Sequence, residues 1–460
     1  MGDLTELQSA QAVEITDTTG SNAAKINTAL PGSSDPGLTV REVAQGQTTM
    51  ANSRPVVIAS NQTAIPVTIS TSTPSTPAGE PPFTRDFKLF DYSFLGQDNL
   101  LLWYQSVTGG GTGVINAATN AIAMTCTTAS GDQVIRQSQR VMGQSGVSMI
   151  WQATSVMGAI KANVRQRVGA FDSNDGYFFE QNGMTLRVVA RSSVSGSPVD
   201  TAIAQASWNI DKLDGTGASG ITLTTDNQNT YFVTHNTNYS KFGIIVNGNA
   251  YFCHEIFGAN VLTVPNILTI NLPIRTEITN TGTTASATTL SMRAAAAFAS
   301  GGTVPFGVNR AVDLGITGKS IPATLTPLIS LRLRSSGVRN VLIPQNFTLV
   351  LSSSQAVIFQ VIFNGTLTGA SFAGTPGTNT ISEYDTAATA ISGGNIIYSG
   401  YSSGSGNSGT PIAGDSTDVT NLLKISSNIA GTSDVITWAA QKTGGTSPTA
   451  FLSILYRELF

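Results

Sequence analysis

The sequence holds few places where side chains able to do chemistry come together. Cys253-His254-Glu255 is the only point at which Cys, His and Glu meet. It lies in an extended run, where alternation sends Cys253 and Glu255 to one face and His254 to the other, so the three do not share a ligand sphere. His235 is the only other histidine, which leaves too few parts for a zinc site or for Cys126 or Cys253 as a nucleophile. Asp172-Ser173-Asn174-Asp175-Gly176 follows a calcium-loop pattern with one residue missing and no closing Glu, and reads as a turn. Asp175 with Glu180, or Asp211 with Asp214, are the candidate glycosidase pairs, but their spacing does not separate them from solvated turn residues. Gly109-Gly110-Gly111-Thr112-Gly113 has no following Lys-Ser or Lys-Thr and opens no helix, so it is a loop and not a phosphate cradle. Tyr177, Tyr239 and Tyr251 could stack on sugars, although half-buried strand positions account for them better. No catalytic, cofactor-binding or metal-ligating residue is assigned, and no cofactor is expected.

The elements that would position these residues are strands. Val164 to Phe171, Tyr177 to Gln181 and Met184 to Ala190 are strand-like runs separated by turn signals at Asn174-Asp175-Gly176 and Asn182-Gly183. Asn and Gly tolerate the positive φ that a two-residue type I′ hairpin needs at both central positions. Asn247-Gly248 and Asn364-Gly365 repeat the signal, so Asn174, Gly176, Asn182, Gly183, Asn247, Gly248, Asn364 and Gly365 are the expected hairpin residues. The spacing predicts an all-β protein: an N-terminal extended arm followed by one or two antiparallel β-sandwich, jelly-roll-like bodies.

Charged residues make up only 11% of the 460, against roughly 25% in ordinary soluble chains. Ser, Thr, Asn, Gln and 46 Gly stand in their place. Such a surface suits faces that pack permanently against neighbours, where a buried charge would need a partner. The net charge of −3 has no basic block, which argues against nucleic acid as a partner. No run of 18 apolar residues occurs, so membrane insertion is not expected. The start, Met1-Gly2-Asp3-Leu4-Thr5-Glu6, is neither a signal peptide nor an anchor, so release from the cell would require lysis. Two cysteines are too few for a disulfide framework; two buried thiols and one bridge between Cys126 and Cys253 both stay open.

Along the chain, residues 1–37 read as an arm and 38–69 as a particle-anchoring β segment whose prolines demote its strands to edges. Residues 70–82 form a Pro/Ser/Thr-rich linker. A first β-sandwich body is drawn over 83–302 and a second over 303–460. Within them Val114 to Thr128, Val147 to Ser155, Ala202 to Ile210, Ile221 to Thr225 and Ile267 to Leu272 read as strands. Ser291 to Phe298 contains four consecutive alanines, whose propensity favours a helix while an all-β context favours a strand.

Val43 to Val67 carries Ala51-Asn52-Ser53, Pro55-Val56-Val57-Ile58-Ala59-Ser60, Gln62 and Ile65-Pro66-Val67. It resembles a module at the front of many tailed-bacteriophage virion proteins, departing at Asn61 and Thr63. Arg165 to Gly169, Asn174 to Phe179, Trp208 to Gly215, Val246 to Glu255, Pro273 to Ile278 and Pro327 to Arg332 are similar to a recurrent set of phage structural proteins. The resemblance implies a non-enzymatic virion component with no catalytic residue to carry over. A tail-associated appendage is expected: a fibre, a tail-tip or baseplate part, or a collar component. Its anchoring residues would be Pro55, Val56, Val57, Ile58, Ile65, Pro66 and Val67, because unpaired strand edges bind by adding to a neighbour's sheet. The expected partners are other virion proteins of tail, neck or capsid, further copies of this chain with a trimer favoured, and host surface glycan. The expected location is the virion, assembled in the host cytoplasm. The alternatives are a capsid decoration or head-fibre protein and a carbohydrate-active tail spike.

Overall fold

Short runs in which large apolar side chains alternate with polar ones give β-strands throughout the computed structural model, and no α-helix occurs among its described residues. Those residues are 87–143, 147–236, 239–300, 307–403, 412–415 and 423–460, together with two short strands near the start. These two, β1 (Ile15–Thr16) and β2 (Ala23–Ala24), pair antiparallel. The expected anchoring residues Pro55, Val56, Val57, Ile58, Ile65, Pro66 and Val67, and the linker at 70–82, lie outside the described residues.

In chain order the next strands are β3 (Phe87–Ser93), β4 (Trp103–Thr108), β5 (Thr112–Asn116), β6 (Ala121–Cys126), β7 (Gln133–Ser138) and β8 (Met149–Val156). Then come β9 (Val164–Phe171), β10 (Gly176–Asn182), β11 (Thr185–Ser192), β12 (Val199–Ala204), β13 (Asn229–Asn236), β14 (Tyr239–Val246) and β15 (Asn249–Phe257). β16 (Ile274–Asn280) and β17 (Thr288–Ala299) complete the set. A seven-stranded sheet has the order β12-β11-β10-β9-β16-β7-β4, and an eight-stranded sheet runs β15-β14-β13-β8-β17-β6-β5 with β3 also on β17. Every pairing is antiparallel, and the sheets close over one core. Trp103, Val168, Tyr177, Phe179 and Ile278 of the first sheet meet Met124, Trp151, Tyr231, Phe242 and Met292 of the second. Phe179 meets Phe242 edge-on at 5.6 Å between ring centroids. Burying a side chain of this size contributes about 1.5–3 kcal/mol.

The remaining strands build a smaller sandwich of the same kind. They are β18 (Val308–Asp313), β19 (Lys319–Ser320), β20 (Thr326–Leu333), β21 (Val341–Leu351), β22 (Ala356–Phe363) and β23 (Thr366–Thr368). β24 (Ser382–Asp385), β25 (Ala390–Ser392), β26 (Asn395–Ser403), β27 (Ile412–Asp415), β28 (Val435–Lys442) and β29 (Thr449–Leu459) follow. Sheets β18-β29-β21-β27 and β24-β20-β28-β22-β26 enclose Leu331, Phe347, Phe359, Trp438 and Ile454. Polar contacts join the two sandwiches. Arg140 donates from its backbone N to Ser426 Oγ (3.0 Å) and from Nε to Ser427 Oγ (3.2 Å). Arg339 pairs with Asp175 at 2.8 Å, and Tyr104 donates to Asp434.

The structure settles the readings left open and corrects several others. Ser291 to Phe298 is strand, the centre of β17, where Ala297 and Ala299 are fully buried between β8 and β3. Tertiary pairing overrides the helical preference of alanine there. Ile267 to Leu272 and Ile221 to Thr225 form no strand, and β12 ends at Ala204. Asn247-Gly248 is the two-residue loop between β14 and β15, with φ of 51° and 79°, the type I′ requirement. The β10–β11 loop is instead Gly183-Met184: Asn182 is the last strand residue, and Gly183 supplies the positive φ of 58°. Asn364-Gly365 makes no hairpin, because β22 pairs with β26 and β28. Asn364 bonds Asp434 through Nδ2 (2.9 Å) and takes the Val435 N–H on Oδ1 (2.8 Å). At Asn174-Asp175-Gly176 the reversal is held by Asp172 Oδ1, which accepts from the N–H groups of Asn174 and Asp175, and Gly176 opens β10 with φ of 136°. Cys126 and Cys253 are two buried free thiols.

Candidate functional site

The strand registers bring eight charged residues together on the outer face of the seven-stranded sheet. One cross-strand row reads Arg187, Glu180, Arg167, Glu277, Ile135 from β11 through β10, β9 and β16 to β7. The next row toward the smaller sandwich reads Val189, Phe178, Gly169, Arg275, Gln137, Tyr104, and beyond it lie Asp200, Arg191 and Phe171. On the other side a row of neutral polar residues flanks one cation: Thr185, Asn182, Arg165, Thr279, Gln133, Thr108.

Arginines and carboxylates interlock along the first row. Arg167 donates to Glu180 (2.6 Å) and Glu277 (3.1 Å), Arg187 takes the other oxygen of Glu180, and Arg275 takes the other oxygen of Glu277 (2.8 Å). Arg191 grips Asp200 through two bonds of 2.7 and 2.9 Å. Arg167 and Arg191 also lie over the Phe178 ring at 5.1 and 5.4 Å, and Arg275 over Phe171 at 5.3 Å. The flat guanidinium planes cover these rings, which belong to a small apolar cluster of Phe171, Phe178 and Val189. Glu180 and Glu277 are almost wholly buried, whereas Arg165 and Arg187 keep 28% of their side-chain surface in solvent.

Burial raises the Glu277 carboxyl, but the charges of Arg275 and Arg167 outweigh it and hold it below the usual carboxylate range. Asp200 is held down in the same way: burial opposes ionisation, and the hydrogen bonds and charge of Arg191 prevail. Arg165 is pushed below its ordinary value, first by burial and then by the like charge of Arg167. A glycosidase acid needs a carboxyl whose protonated form is favoured. Glu277 and Asp200 are tuned the opposite way, so they can hold a cation or orient arginines but are poorly placed to donate a proton.

The carboxylates named as glycosidase candidates do not converge. Asp175 accepts from the backbone and hydroxyl of Ser193, from the Leu268 N–H and from Arg339. Asp211 closes a turn by accepting from the N–H groups of Leu213 and Ser219, and Asp214 does so with Thr216. Arg140 occupies the cation side of Asp172 at 2.8 Å. Among the described residues no group of three His, Cys, Asp or Glu is arranged to hold a metal. His254 Nδ1 accepts from the Asn209 N–H, His235 accepts from Trp151 in the core, and Tyr177 is fully buried. Sequence reasoning missed the arginine lattice. Its available signals were the two-residue spacing of Arg165 and Arg167 and the hairpin register that sets Glu180 opposite Arg187.

No family model matches the sequence, and no curated protein matches it. Among solved structures the chain is similar to a β-1,3-glucanase from Mycobacterium marinum, at 11% identity over 46% of this chain and 98% of that one, with a TM-score of 0.32. It is similar to the carbohydrate recognition domain of Emp47p at 12% identity over 48% of this chain and 99% of that one, with a TM-score of 0.30. Likeness at this level carries no argument about activity.

Proposed function

We propose that this chain is a non-enzymatic structural protein of a tailed-phage particle, an appendage of tail, tip or collar attached through 38–69 and acting by adhesion. The observation that carries the adhesive reading is the arginine lattice. Its carboxylates are committed to guanidinium groups, an arrangement that makes a stiff, charged recognition face. The module at Val43 to Val67 supports the virion assignment, and the two-sandwich architecture supports a rigid projecting body. Two measurements test the reading. Micrographs of particles labelled at the C-terminus should place the label on the tail or neck; label spread over the head would favour a decoration protein. Purified protein should leave host surface polysaccharide at its original length while binding it, and shortened chains would replace the adhesin with a carbohydrate-active spike.

A further inference from the structure

The charges on the outer face do not cancel. Five guanidinium groups, on Arg165, Arg167, Arg187, Arg191 and Arg275, share three carboxylates, on Glu180, Glu277 and Asp200. Two positive charges are left over, and the least neutralised of the five is Arg165. Its one ion pair among the described residues is the long 3.9 Å contact to Glu277, and its Nε is buried with no hydrogen-bond partner. A guanidinium has five donors in a fixed fork, matched to the two oxygens of a carboxylate. Arg165 therefore offers a forked cation, part solvent-exposed, that its own protein leaves under-neutralised.

We infer that the row through Arg165 binds a saccharide chain carrying carboxylate groups. On both sides of Arg165 the row presents amides and hydroxyls: Asn182 and Thr185 toward β11, Thr279, Gln133 and Thr108 toward β4. Thr185 and Thr108 are exposed and the others half-buried. The row crosses six strands, a strip of about 24 Å at about 4.8 Å per strand spacing. Neutral donors and acceptors spaced along such a strip match sugar hydroxyls, and a single forked cation matches a sparse carboxylate. A nucleic acid would need a cation for each of several phosphates, which this row does not hold. The inference deepens the adhesive reading and rests on it only for the origin of the glycan.

The test is calorimetric titration of the full chain at low salt with hexagalacturonate, with maltohexaose as the neutral control and with inorganic phosphate. Hexagalacturonate should bind saturably and maltohexaose should not. Arg165→Gln should weaken binding about tenfold or more, as expected for loss of a charge-assisted bidentate contact, and Arg165→Lys should lose less. Gln133→Ala should weaken it several-fold without touching a charge. Absence of saturable binding, or binding indifferent to both Arg165→Gln and Gln133→Ala, would overturn the site. Inorganic phosphate binding as tightly as the hexamer would overturn the saccharide assignment. Cleavage of the hexamer would leave the site standing and refute the non-enzymatic reading, so the two failures are distinguishable.

Discussion

Tyr104 on β4 of the larger sandwich donates its phenolic hydrogen to the carboxyl of Asp434, which belongs to the smaller one. Burial pushes Asp434 up to about 6, although Tyr104, Asn364 and Ser426 all donate to it. A carboxyl raised in the fold stabilises it when protonated. Its contribution is complete below the ordinary value of 3.8 and is lost as pH rises through about 6. The junction between the sandwiches should therefore loosen toward neutral pH. Asp434→Asn should gain stability relative to wild type in denaturant unfolding, by on the order of 2–3 kcal/mol more at pH 7.5 than at pH 4. An offset that stays constant between the two pH values would rule this out.

Glu180 holds two guanidinium groups from within the sheet face. Glu180→Ala would leave Arg167 buried and half-paired, and should cost about 3–5 kcal/mol in denaturant unfolding. Arg187→Ala, at a half-exposed position, should cost about 1–2 kcal/mol, since Glu180 keeps Arg167. Equal costs for the two variants would contradict this asymmetry.

Two glycines of one meander should respond differently to alanine. Gly183 has a φ of 58° and open space where a Cβ would stand, so only backbone strain of about 1–2 kcal/mol opposes the change. Gly176 has a φ of 136°, and a Cβ there would lie 2.3 Å from the Ala170 carbonyl oxygen and 2.4 Å from the Phe171 Cα. Gly176→Ala should therefore be the more damaging, read as a larger drop in denaturation midpoint.

Burial pushes the Cys126 thiol up to about 11 and the Cys253 thiol up as well. Thiolate is the reactive form, so iodoacetamide should label neither residue in the folded protein at pH 8. Both should react once denaturant opens the sandwich. Labelling of Cys253 at native conditions would contradict its place in the core.

Local turn chemistry made the fold class legible, and non-local pairing hid the site. Asn247-Gly248 could be read directly, since both residues occupy the loop. Asn182-Gly183 misled by one position because Met184, 72% exposed, takes the second place in the turn. Asn364-Gly365 looked identical, but its Asn serves Asp434 and Val435 across the smaller sandwich. Glu180 opposite Arg187 follows from a hairpin, so half of the lattice was within reach of the sequence. Glu277 and Arg275 join it only because β16 inserts beside β9, about a hundred residues earlier in the chain, and no local pattern announces that. The low charge content was legible, but not its distribution: five arginines and three carboxylates are drawn into one interlocked face.

The position of β16 and β17 bears on how the protein is made. These two consecutive strands sit in the middle of opposite sheets, β16 between β9 and β7, β17 between β8 and both β6 and β3. While the ribosome has delivered only the first 273 residues, each sheet exists as two unjoined halves with raw hydrogen-bonding margins and greasy inner sides. Such a nascent chain is at its stickiest just before completion of the first sandwich. The last two strands to emerge, one for each layer, act as the clasp that shuts both together.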